Sequence, residues 1–129
     1  MTIGFWCVLI AALLPLGSAL VAKMSGGDFK PTDNHNPREF LDSLTGSRKR
    51  AHWAQQNGYE AFPPFAAAVI IAHIAHAPQL WIDGFAVAFV VLRVLYAVFY
   101  ITDKASARSA AWGTGLACVI GLFVVSALA

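Results

Sequence analysis

Two ionisable residues stand where an apolar chain least accommodates them, Glu60 and Arg93. Glu60 immediately precedes the uncharged run 61–77, and Arg93 interrupts the otherwise apolar run 85–101. A charge at the centre of a membrane-spanning helix costs about 2.5–3.5 kcal/mol by insertion scales, so such residues are functional candidates first. Arg50, Asn57 and Glu60 fall at i, i+7 and i+10, one face of a 3.6-residue period, with Trp53 and Gln56 beside it. Pro63 and Pro64 follow and remove two backbone donors, which is expected to kink the helix or loosen one end of it. Arg93, Tyr96 and Tyr100 fall at i, i+3 and i+7, again one face, and Arg108 and Ser109 open the last apolar segment. Side chains of these types in one half of a bilayer would form a polar pocket of guanidinium groups, acceptors and two phenols. Such a pocket suits a zwitterionic, carboxylate-bearing, peptide-like ligand, because arginine grips carboxylates in bidentate fashion. A plainer arrangement of the same residues is a structural Glu60–Arg93 pair, with Tyr96 and Tyr100 as interfacial aromatics.

Other reactive residue types point to less. His73 and His76 lie three apart with only Asp83 nearby, too few ligands for a metal, so they read as packed or interfacial histidines and no metal site is expected. Cys7 and Cys118 sit inside apolar runs and read as buried small hydrophobes rather than a disulfide. The net charge of +2 is too small to imply nucleic acid.

These residues need elements to hold them. The chain has 129 residues, one domain by length. It is 58% apolar and only 12% charged, with mean hydropathy +0.62, against about 25% charged in an average soluble domain. That little charge cannot cover a small soluble monomer, where surface is large relative to volume, and it excludes a disordered chain. Four apolar stretches, about 3–22, 55–77, 83–102 and 108–129 with their flanks, have the length to cross a bilayer. In lipid the backbone must bond to itself, so they are helices. The expected fold is an all-α integral membrane protein, a left-handed bundle of four transmembrane helices. The first stretch lacks a positive n-region and is too long for the apolar core of a signal peptide, so it reads as an uncleaved helix.

Outside the spans, all eight Lys and Arg residues lie in the 23–51 loop or the turn bearing Lys104 and Arg108. The positive-inside rule puts those loops in the cytoplasm and both termini outside. Lys49 belongs to this signal. Within the loop, Asn36 as N-cap, Pro37 at N1 and Glu39 closing a capping box predict a helix of two to three turns stopped by Gly46. Trp6, Trp53, Trp81 and Trp112 all fall near predicted borders, as belt residues do. Gly113, Ala117 and Gly121 recur at a spacing of four, which lets helices approach closely, and a closed homo-oligomer is the expected form.

The segment 46–72, GSRKRAHWAQQNGYEAFPPFAAAVIIA, resembles the signature of the MAPEG family, membrane-associated proteins in eicosanoid and glutathione metabolism. Arg50-Ala51, Asn57-x-x-Glu60 and Phe62-Pro63-Pro64-Phe65 carry the resemblance. Arg93-x-x-Tyr96-x-x-x-Tyr100-Ile101-Thr102, followed by Arg108-Ser109, supports it. The resemblance implies a homotrimer of four-helix protomers that binds glutathione between protomers near the cytoplasmic face. It further implies that the thiol is activated as thiolate against lipophilic electrophiles. Transferred position by position, Arg50, Asn57, Glu60, Arg93, Tyr96, Tyr100 and Arg108 bind glutathione, and Arg108 is the catalytic candidate that stabilises the thiolate. Trp53 departs from the pattern: it stands where the microsomal transferases carry an arginine four residues before the asparagine, and Arg50 is seven before. Tyr100 and Arg108 are also one residue closer together than in the animal enzymes. The pattern is most similar to bacterial members, which implies a bacterial inner membrane with a cytoplasmic active face. Two rivals stand beside the glutathione-dependent transferase or peroxidase. One is a non-catalytic protein of the same fold binding a lipid or another thiol, which Trp53 favours. The other is a small proton-coupled exporter, which Glu60 suggests but its place near the border rather than the midplane opposes.

Overall fold

The computed structural model describes residues 1–129 and is entirely helical. Its elements are α1 (Ile3–Met24), a 3-10 turn (Pro31–His35), α2 (Pro37–Asp42), α3 (Gly46–Ile74), α4 (Gln79–Ile101) and α5 (Ala105–Ala127). By length and composition α1, α4 and α5 are apolar enough to cross a membrane. With 29 residues α3 is the longest helix, but only the part after Glu60 is apolar, too short a stretch to put it in that class. It begins at Gly46 rather than near residue 55.

Two local expectations are corrected. Helix α2 has only six residues; Ser43 ends it, and Asn36 makes no side-chain capping bond. The cap forms one turn earlier, where the Asp33 carboxylate accepts from the Lys30 N–H at 2.8 Å. Gly46 does not stop α2 but starts α3, with φ +63°, a conformation in which a Cβ would be strained. The proline pair lies within α3, whose helix continues through Pro63 and Pro64. The cost is confined to the carbonyls of Tyr59 and Glu60, four residues back, which lose their donors.

The four long helices alternate in direction, as the contacts at their ends require. At one end, near both chain termini, Gly4 N–H donates to Asp83 Oδ1 at 2.8 Å, and Gln79 Nε2 donates to the same oxygen. Beside them Thr2 Oγ1 lies 2.8 Å from His73 Nε2, His73 Nδ1 donates to the Val69 carbonyl, and Phe5 stacks on the imidazole. His73 is thus a packing residue between α1 and α3. The core runs along the bundle axis, with Phe65 stacked on Phe89 at 3.9 Å and the free cysteines Cys7 and Cys118 buried in the same cluster. Helices α1 and α3 pack tightly at Gly58, where a Cβ would lie 2.7 Å from the Pro15 ring.

At the opposite end, three consecutive cations of α3 each close a different helix. Arg48 donates to the Ala22 and Lys23 carbonyls of α1 and forms a two-pronged pair with Asp28 at 2.8 and 3.2 Å. Lys49 Nζ donates to the Asp42 carbonyl of α2 at 2.6 Å. Arg50 donates through Nε and Nη2 to the Ile101 carbonyl of α4 at 3.3 and 3.1 Å. Cations in the first turn of α3 oppose its own dipole, but they meet the negative C-terminal ends of three neighbours, whose last carbonyls have no intrahelical partner. The Arg48 guanidinium holds the exposed Asp28 carboxyl below its ordinary pKa, chiefly by hydrogen bonding to the charged form.

Candidate functional site

Helices α3, α4 and α5 bring the polar residues of the apolar segments together. Arg93, buried on α4, donates from Nη2 to Asn57 Oδ1 at 2.9 Å. The Asn57 amide in turn donates to Glu60 Oε2 at 3.3 Å. An amide can face a cation with its oxygen and an anion with its nitrogen, so it links the two charges without letting them touch. The direct Glu60–Arg93 pair does not form, and neither Arg93 nor Arg108 pairs with any carboxylate in the protomer. The Arg93 guanidinium also lies over the Tyr96 ring at 4.2 Å, and that of Arg108 over Tyr100 at 4.5 Å. The two phenol rings meet edge to face at 5.7 Å. Cations on aromatic faces are held in place without their charge being neutralised.

Around this network lies a groove of three adjoining hollows, all of which touch Asn57. One, about 250 Å³, has Arg93 and Glu60 at its polar side and Ala61, Pro64, Phe89, Leu116 and Val119 as apolar walls. A second, about 360 Å³, is lined by Trp53, Gln56, Glu60, Tyr96 and Tyr100. The third, about 250 Å³, runs between Tyr100, Arg108, Ser109 and Trp112. Asn57, Glu60, Arg93, Tyr96, Tyr100 and Arg108 therefore share one groove.

Arg50 does not line it. Although its position falls on the same helical face as Asn57, its long stem turns toward the end of α4, and the Ile101 carbonyl takes both its Nε and Nη2. Trp112 was read as a belt residue, yet it lines two of the three hollows. It follows Arg108 by four residues, the spacing that puts side chains on one helix face, and this was the signal for it. Trp53, at the site of the departure from the family pattern, stands 6.4 Å from the Tyr100 ring with Lys49 Nζ over its face.

A family model, described as the MAPEG family, matches residues 3–128. The chain belongs to the MAPEG family. Its match runs through α1, α3, α4 and α5, so every groove residue lies within the MAPEG-like part of the chain. Comparisons with curated proteins and with solved structures gave no match.

Proposed function

We propose that this MAPEG protein is a glutathione-dependent membrane transferase or peroxidase acting on lipophilic electrophiles. The family includes such enzymes as well as non-catalytic members. The observation that carries the reading is the pair of guanidinium groups, Arg93 and Arg108, left without carboxylate partners in a groove that holds one carboxylate, Glu60, and opens onto an apolar hollow. A carboxylate of a peptide thiol supplies the counter-charge missing at Arg93, its thiolate the one missing at Arg108, and its ammonium group suits Glu60. The Arg108 cation favours the charged form of the sulfur, lowering a thiol pKa from about 8.5 toward neutrality. The thiolate sulfur then forms the new bond to the electrophilic carbon while the leaving group departs with its electron pair. The apolar hollow receives the electrophile, which dissolves in the bilayer.

In this reading α3 is the fourth membrane-crossing helix, its apolar half in the hydrocarbon and its charged first turns in the headgroups. The protein is a homotrimer of four-span protomers in a bacterial inner membrane, with the groove at the cytoplasmic side. Trp53 supports the second reading, a non-catalytic member binding a lipid or another thiol, because it puts an aromatic wall where the transferases carry a cation. Calorimetry with glutathione on detergent-purified protein, together with the ultraviolet absorbance of the bound thiolate, separates the two. Binding with a thiolate signal is expected for the enzyme, and no binding at millimolar glutathione rejects it in favour of the second reading.

A further inference from the structure

We infer that Arg50 is a positioning residue of the groove: by closing the end of α4 it fixes Tyr100 and the turn that carries Arg108. The inference starts from the last four carbonyls of α4, none of which has a partner inside the helix. Val98 O accepts from the Thr102 N–H and hydroxyl at 3.0 and 2.7 Å. Phe99 O accepts from the Lys104 N–H at 2.8 Å, and Tyr100 O from the Asp103 N–H at 3.2 Å. Asp103 has φ +62°, so these bonds form a Schellman turn with aspartate at the left-handed position. That leaves Ile101 O, and the only donor that reaches it is Arg50.

The closed turn connects the two groove residues that bear on a thiol. Tyr100 sits one residue before the capped carbonyl. On the other side of the turn, the Arg108 N–H donates to Lys104 O at 2.9 Å and opens α5. The two side chains then meet in space, with the Arg108 guanidinium 4.5 Å over the Tyr100 ring. A turn in which three carbonyls are closed from within, Val98 O doubly by Thr102, and the fourth by Arg50 is a short, stiff link between them. Aspartate in the left-handed region is less settled there than glycine, so the fourth tether matters more than it would in a glycine-closed turn. Arg50 is bound to a backbone carbonyl, outside the groove, so its influence on a bound thiol passes through Arg108 and not through contact.

The consequence for chemistry rests on the proposed glutathione reading. Loosening the turn moves a cation away from the sulfur and weakens its preference for the charged form, while the carboxylate and amide contacts at Arg93 and Asn57 stay in place. The test compares wild type, Arg50→Ala and Arg50→Lys in detergent, following amide exchange along the chain, the pH midpoint of bound-thiolate absorbance, and the glutathione dissociation constant. In Arg50→Ala, exchange in segment 102–108 rises about ten-fold while that around Asp83 is unchanged, as for a local opening. The thiolate midpoint rises by about half a pH unit, as for partial loss of a nearby cation, and the dissociation constant at low pH is unchanged within about two-fold. Arg50→Lys, which keeps a charged donor, restores most of both shifts. Unchanged exchange in 102–108 overturns the inference, and so does faster exchange with an unmoved thiolate midpoint, which leaves Arg50 a cap and nothing more. A ten-fold loss of affinity with an unmoved midpoint overturns it in the other direction, by making Arg50 a direct ligand contact. A wild type that binds no glutathione removes the enzyme reading itself and the inference with it, and that arm is read before any variant.

Discussion

Asn57 does for the groove what no charged residue there can do. Its amide keeps Arg93 and Glu60 from collapsing onto each other, so both charges remain available to a zwitterion. Replacing Asn57 by leucine keeps the volume but takes away the only hydrogen-bond partner of a buried guanidinium. The expected loss is about 1.5–3 kcal/mol, the range for a charged hydrogen bond left unmade, read from unfolding in detergent. Asn57→Ala is also expected to lose glutathione affinity with little change in thiolate fraction, since a neutral amide discriminates weakly between thiol and thiolate. Arg108→Ala should do the reverse, losing thiolate absorbance more than calorimetric affinity; equal losses in both variants would assign both residues to binding alone. The six groove residues were legible in the sequence because helical spacing says which side chains share a face. The place of Arg50 was not, because spacing leaves open where a long stem leans, and Trp112 was signalled only by its spacing of four from Arg108.

Among the helices the tightest dependence is between α1 and α3. A methyl group at Gly58 would press on the Pro15 ring, which sits in a helix and cannot rotate away. Gly58→Ala is expected to cost about 1–3 kcal/mol by overpacking, measured as a lowered unfolding midpoint. At the end that carries the 25–45 loop, the Arg48–Asp28 clasp gives a pH dependence with a definite sign. Folding lowers the Asp28 pKa, so its contribution is fully present above the ordinary value of about 3.8 and is lost as pH falls below it. Amide exchange around residue 28 should therefore quicken below that pH in wild type, whereas Asp28→Asn should show the quickened exchange already at neutral pH. The long helices follow from apolar length, which the sequence displays directly. The loop was harder to read because Gly46 serves equally as a stop or a start. Only the position of the Arg48 and Lys49 acceptors, carbonyls from other helices, decides that it starts α3.

For the whole molecule, the charge distribution predicts that residue 35 lies in the cytoplasm and residue 129 outside it. Reporter fusions at those two positions should give opposite answers; the same answer from both would delete one crossing, and α3 would be the one lost. The bundle also leaves the small residues Gly113 and Ala117 on its exposed surface, and native mass spectrometry of the detergent-solubilised protein should show three copies, with a monomer contradicting the trimer. The triplet at residues 48–50 makes this topology hard to change. Three of the eight charges that the positive-inside rule counts also seal the ends of α1, α2 and α4. Replacing the triplet to weaken that charge bias would therefore also unseal three helix ends.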